Sequence, residues 1–332
     1  MGHRANYVLV REDRTHSVYY SHWGAQDLAR EVFWGPQRAM ALIEAQEEVD
    51  GDGLMDEHFA EGGLVVDTAR RSALLFAPGI FGRHVALRRV YMELLAATWH
   101  GWTVRWAGEG QVEVAEALGR SRATVLSDIP VPPATNVEYT PDDAEAPPET
   151  VVTAVQDNGE TRVWALESDI RALIPMGEGL ISALDPENCG EGLECAVPCT
   201  GGLHIDIPGQ RLFAWGTAPF ANAAERMARD WDGWSAVWWG DEFERHVEVS
   251  EAVLLTPEPE AILHARLEEV LVNGDREDPV RRIMELAALL QQQGQQFELN
   301  NHALTHVRLP DLSERQRRLV FDAAWAARQR GR

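Results

Sequence analysis

The sequence predicts an α+β protein made by tandem duplication of a ββαββαβ unit, the two copies forming a pseudo-symmetric pair with a C-terminal helical appendage. Three observations carry this reading. The run Gly62-Gly63-Leu64-Val65-Val66-Asp67 recurs as Gly201-Gly202-Leu203-His204-Ile205-Asp206. Trp99-His100-Gly101-Trp102 with Trp106 recurs as Trp231-Asp232-Gly233-Trp234 with Trp238. Pro36 precedes Gly63 by the interval that separates Pro175 from Gly202. The expected organisation is a first repeat over 1–128, a Pro- and acid-rich linker over 129–149, a second repeat over 150–256 and a helical region over 257–332.

Each repeat opens on a β-hairpin. Tyr7–Val10 and Ser17–Tyr20 flank a charged turn in the first, and Val151–Val155 and Thr161–Trp164 flank Asp157-Asn158-Gly159 in the second. Pro36 and Pro175 suit the first turn of a helix, where the missing N–H is no loss. Met40, Leu42 and Ile43 would give that helix its apolar side in the first copy, and Leu180, Ile181 and Leu184 in the second. A second hairpin carries the Gly-Gly-Leu run. The next helix shows Leu87, Val90, Tyr91, Leu94, Leu95 and Thr98 at helical spacing, so one face is buried. Gly101 and Gly233 stand where a left-handed residue ends a helix, and each final strand follows. Past Thr256, Pro259 and Asp278-Pro279 open two helices, and Ser313-Glu314-Arg315-Gln316 is a capping box for a third.

A length of 332 residues is enough for two or three domains with a sizeable core. No apolar run reaches the length of a membrane span and the polar N-terminus lacks a signal pattern, so a cytoplasmic protein is expected. The formal charge is −23, and every basic residue is arginine, with no lysine. A GC-rich, bacterial genome accounts for the arginine bias. The charge repels polyanions and favours encounter with a basic partner, so neither nucleic acid nor membrane is an expected partner.

Six of the 12 tryptophans recur at equivalent helix–strand junctions and are expected to fill two cores; Trp99, Trp102, Trp231 and Trp234 should be mostly buried. The copies differ most after the first hairpin, where the first reads Tyr20-Ser21-His22-Trp23-Gly24. His22 can serve there as a general base or proton donor, with Arg4 and Asn6 orienting an anion or an amide. Arg4, Asn6, Tyr20, His22 and Trp23 are therefore the ligand-binding candidates. Cys189, Cys195 and Cys199 lie in one short segment with His204 just beyond, a set that can supply four zinc ligands, although the spacing is not that of a standard knuckle. Reduced structural thiols are the simpler reading, and no other cofactor is expected. No nucleophile elbow, phosphate loop, dinucleotide fingerprint or zinc-protease motif occurs, so no catalytic residue is assigned.

The segment Val114–Val125 resembles the helix-turn-helix of bacterial repressors: a first helix, a Gly119 turn and a Ser121-led second helix. That resemblance implies Ser121, Arg122 and Thr124 as groove-facing positions. Three classes of function follow. The first is a non-catalytic binding or regulatory protein, inhibitor- or immunity-like, whose acidic surface engages a basic protein partner. The second is an enzyme or small-ligand binder using the His22 loop and the cleft between the copies. A DNA-binding regulator working through 114–125 is a distant third.

Overall fold

The computed structural model describes residues 2–50, 53–127, 131–141, 146–197, 199–274, 278–295 and 300–331. Of the expected linker, residues 129–130 and 142–145 lie outside the described residues. Two compact units form. One comprises residues 1–81, 89–127 and 261–332, and the other 82–88 and 128–260.

The first copy runs β1 (Ala5–Val10), β2 (His16–Ser21), α1 (Gly24–Val32), α2 (Pro36–Glu44), β3 (Glu47–Val49), β4 (Gly62–Asp67), β5 (Ser72–Phe76), α3 (Ile80–Arg83), α4 (Val85–Thr98), β6 (Thr103–Trp106) and α5 (Gln111–Ala117). The second runs β7 (Thr150–Val155), β8 (Thr161–Leu166), α6 (Ile170–Leu173), α7 (Gly179–Ala183), β9 (Leu193–Val197), β10 (Gly201–Asp206), β11 (Arg211–Gly216), α8 (Ala223–Asp230), β12 (Ser235–Trp238), α9 (Glu244–Ser250) and β13 (Val253–Pro257). The tail holds α10 (Glu260–Glu268), α11 (Pro279–Gln292) and α12 (Glu314–Gly331).

The strand order makes the duplication explicit. One sheet is ordered β3-β2-β1-β4-β5-β6 and the other β12-β11-β10-β7-β8. Read from its other end, the second repeats β2-β1-β4-β5-β6 strand for strand. In both, the first strand pairs in parallel with the Gly-Gly strand and in matching register, Ala5 opposite Gly62 and Thr150 opposite Gly201. The protein is thus an α+β fold with an internal duplication. Packing explains the two glycines. A Cβ on Gly62 would lie 2.8 Å from the Cβ of Ala25, and one on Gly201 would lie 3.0 Å from Ile170, so the first glycine lets a helix lie against the sheet. A Cβ on Gly63 would meet the Phe76 ring at 2.4 Å, and one on Gly202 the Trp215 indole at 2.2 Å, so the second lets an aromatic ring cross the strand.

Several elements depart from the sequence reading. The segment after Trp23, given no element in the sequence reading, is the helix α1, which buries Ala25, Leu28, Ala29 and Val32 at i, i+3, i+4 and i+7. Pro36 does open a helix, whereas Pro175 sits in a single 3₁₀ turn, Ile174–Met176, between the short helices α6 and α7. The shared Pro-to-Gly interval is therefore not a shared structural position. Strand β3 extends the first sheet, and β9 pairs in parallel with β13 in a small sheet of its own.

Each repeat is closed by its tryptophans. Trp99 and Trp231 are fully buried, and each indole N–H donates to a carbonyl of the helical segment after the first hairpin, Trp99 to Val32 at 2.8 Å and Trp231 to Ile174 at 3.0 Å. Trp102 and Trp234 are only half-buried, packed edge-on against them at 5.3 and 5.0 Å, because the turn at Gly101 and Gly233 (φ +77° and +83°) leaves one ring face at the rim. The tail packs within the first unit. Phe321 of α12 meets Phe33, Arg328 pairs with Glu93, and the Trp23 indole donates to the Ala303 carbonyl at 2.9 Å. Ser313 and Gln316 close the expected capping box at the start of α12. No helix among the described residues is long and apolar enough to cross a membrane.

Candidate functional site

Of the five residues singled out in the first repeat, four come together. The Tyr20 hydroxyl bonds to His22 Nδ1 at 3.2 Å, and the His22 ring packs edge-on against Trp23 at 4.8 Å. Arg4 joins this neighbourhood through charge, since its guanidinium favours the ionised form of Tyr20; burial outweighs it and raises the tyrosine above its ordinary value. The tail adds His302, whose ring stands edge-on to Tyr20 at 5.8 Å and whose Nδ1 lies 3.2 Å from Glu47. The arrangement is a small polar cluster at the end of the β1–β2 hairpin.

Asn6 and Trp23 have structural work. Asn6 is fully buried, and its amide donates to the carbonyls of Tyr19 and Gly53 while accepting from Met55 N at 2.7 Å and Gln111 Nε2 at 2.8 Å. Four bonds exhaust an asparagine amide, so none is left to orient a ligand. Trp23 is buried too, but one edge lines a groove of about 330 Å³ with His3, Gln26, Pro279, Ile283 and Leu286.

The structure separates the four residues grouped as zinc ligands. Cys189 points its thiol at the Pro186 carbonyl, 3.0 Å away; Cys199 is buried among Val151, Trp215 and Phe243, with Cys195 packed against that cluster; His204 Nδ1 is taken by Thr153. Among the described residues, no three His, Cys, Asp or Glu side chains gather as metal ligands would. In the helix-turn-helix-like segment, α5 is followed only by one 3₁₀ turn, Arg122–Thr124, and Arg122 is held by Glu109 and Glu116 at 2.6 and 2.9 Å.

The second unit contains a polar arrangement that sequence reasoning missed. Trp215 Nε1 lies 3.1 Å from His246 Nδ1, His246 Nε2 lies 2.8 Å from Thr153 Oγ1, and Thr153 Oγ1 lies 2.8 Å from His204 Nδ1. An indole N–H can only donate, so His246 Nδ1 accepts and its own proton sits on Nε2, donated to Thr153. The Thr153 hydroxyl accepts that proton, and its own O–H has two acceptors in reach, His204 Nδ1 at 2.8 Å and the Leu203 carbonyl at 3.5 Å. Burial holds both rings neutral: His246 is pushed down to about 3, and His204 is lowered as well. The first unit fills the same layer with hydrocarbon. Val8 and Val65 face each other where Thr153 and His204 do, and Gly63 sits under Phe76 and Val114 where Gly202 sits under Trp215 and His246. Aligning the copies position by position would have exposed the Val-to-Thr, Val-to-His and Phe-to-Trp exchanges.

Comparison with protein-family models, with curated proteins and with solved structures finds no match for this chain.

Proposed function

We propose that the protein is a non-catalytic binding or regulatory protein, of an inhibitor- or immunity-like kind, whose second unit docks a basic protein partner. The observation that supports this reading is the partition of charge. The second unit carries 26 Asp and Glu against 8 Arg, a net of −18, while the first carries 27 against 22, a net of −5. Arginines of the second unit are spent internally: Arg83, Arg88, Arg162, Arg171, Arg211, Arg229 and Arg245 each pair with a carboxylate of that unit. What remains is an excess of carboxylates such as Glu187, Glu191, Glu194 and Glu248, all exposed. Such a field accelerates encounter with a cationic protein and repels nucleic acid. With a partner captured from the native cell, the association rate is expected to fall at least about tenfold between low and high ionic strength, while dissociation changes little. A partner without basic character, or salt-independent association, would overturn the reading.

The Arg4–Tyr20–His22–His302 cluster favours a second reading, a small-ligand site in the first unit. On that reading His22→Ala abolishes binding of a co-purifying metabolite and leaves the melting temperature within about 2 °C, because a half-buried surface ring contributes little to the core. A large fall in melting temperature would make His22 structural instead.

A further inference from the structure

We infer that a groove in the first unit binds a medium-chain aliphatic carboxylate, its chain lying along α11 and its head group at Arg282. Neither the acidic surface of the second unit nor the His22 ring forms part of this site, so it stands or falls apart from both readings above. The groove measures about 330 Å³, a size that suits a small molecule. Pro279, Ile283 and Leu286 form one wall and recur at i, i+4 and i+7, which makes an apolar stripe about 10 Å long. An extended octanoate spans that length. Leu286 is 46% exposed, apolar surface that such a chain would cover.

Both walls are fixed before any ligand arrives. Helix α11 is anchored by its buried Ala287, and the Asp278 carboxylate caps it by accepting from Val280 N and Arg281 N. Across the groove, the Trp23 N–H is committed to the Ala303 carbonyl at 2.9 Å, so the indole offers the groove hydrocarbon only. His3 N donates to the His22 carbonyl at 3.0 Å, and Ala25 N donates to the His3 carbonyl at 2.8 Å. These bonds hold the chain on either side of the indole. A preformed site spends little binding energy on ordering itself.

Charge selects the head group. In a chain of net charge −23, none of the described residues lining the groove is acidic. The carboxylates nearest to it in sequence are engaged: Asp278 in the helix cap, Glu285 with Arg281 at 3.5 Å, and Asp27 with Arg308 at 3.7 Å. Arg282 lines the groove and is a planar cation that matches a carboxylate in shape as well as sign. The Gln26 amide adds a neutral donor, and His3 adds positive charge when protonated. A cationic amphiphile would meet Arg282 with no lining carboxylate to offset it.

The test is equilibrium dialysis of the full-length chain against radiolabelled octanoate, with hexanoate and octan-1-ol as competitors. One saturable site per chain is expected. Affinity should rise by up to about fourfold for each methylene added between hexanoate and octanoate, and octan-1-ol should compete more weakly than octanoate. Arg282→Gln should weaken octanoate about fivefold and leave octan-1-ol unchanged. Leu286→Asp should abolish binding of both. The two side chains are exposed, so both variants should melt with the wild type. Uptake that does not saturate, octan-1-ol competing as strongly as octanoate, or octanoate binding unaltered by Leu286→Asp would each overturn the inference. So would a wild-type dimer that Leu286→Asp converts to a monomer, because a second copy would then cover the groove. The wild-type comparison of octanoate with octan-1-ol decides the matter if a variant fails to fold.

Discussion

Trp231→Ala is expected to destabilise the protein by about 3–5 kcal/mol, the range for emptying a large buried aromatic site. Trp231 is fully buried among Leu173, Ile174, Leu180, Phe220 and Met227. Its indole is also the hydrogen-bond partner of the Ile174 carbonyl, and its ring supports Trp234 at 5.0 Å. Alanine leaves a cavity, a carbonyl that keeps only its bond from Gly177 N, and a second tryptophan without its platform. Urea unfolding followed by circular dichroism would measure the loss. Trp234→Ala should cost clearly less, because that ring is half-exposed already. A loss of under about 1 kcal/mol for Trp231 would mean that the site collapses around the missing ring and that the repeat is not closed there.

The second large effect is on pH dependence. In the unfolded chain His246 titrates near 6.5, and in the folded unit it is held down to about 3. The unfolded state therefore binds the extra proton throughout that window, and folding stability falls as pH falls. The contribution of the neutral ring is complete above about 6.5 and is lost at up to about 1.4 kcal/mol per pH unit on the way towards 3, so about 2 kcal/mol is gone at pH 5. His204, lowered by burial in the same sense, steepens the loss. Carboxylates held below their ordinary values, Asp169 and Asp206 among them, act only at more acid pH.

The duplication supplies a stringent control. Replacing Thr153, His204 and His246 with valine and Trp215 with phenylalanine gives the second unit the residues that the first carries in the same layer. Removing all members together leaves no buried donor or acceptor without its partner, so the fourfold variant should fold with near-wild-type stability at neutral pH. Its stability should be nearly flat between pH 6.5 and 5 in urea titrations. A slope as steep as that of the wild type would place the proton uptake elsewhere. His246→Val alone should be worse than the set of four, because it strands the Trp215 N–H in the core and removes one of the partners of the Thr153 hydroxyl.

The sequence by itself determined the duplication, the hairpins, the long amphipathic helix α4 and the capped tail helices. Local chemistry decides these: alternation sets a strand, helical spacing sets a buried face, and glycine sets a left-handed turn. The repeated Gly-Gly-Leu and Trp-x-Gly-Trp runs were informative because each residue type answers a steric demand that both copies share. What only the tertiary structure decided depends on contacts between residues far apart in the chain. Asn6 looked like a ligand-binding residue until Met55 and Gln111 proved to use up its amide. His204 stood close to three cysteines in sequence, yet its strand aims it at Thr153 and away from them. His246, 42 residues further on, completes the chain with Trp215 because α9 lays it over the second glycine of the motif. Cys195 and Cys199 follow the same rule: their spacing does not reveal that Cys199 is buried with Val151 and Trp215 while Cys195 stays partly exposed. Hydrogen bonding and burial, not residue type, separate a satisfied core group from a reactive one, and both are properties of the assembled fold.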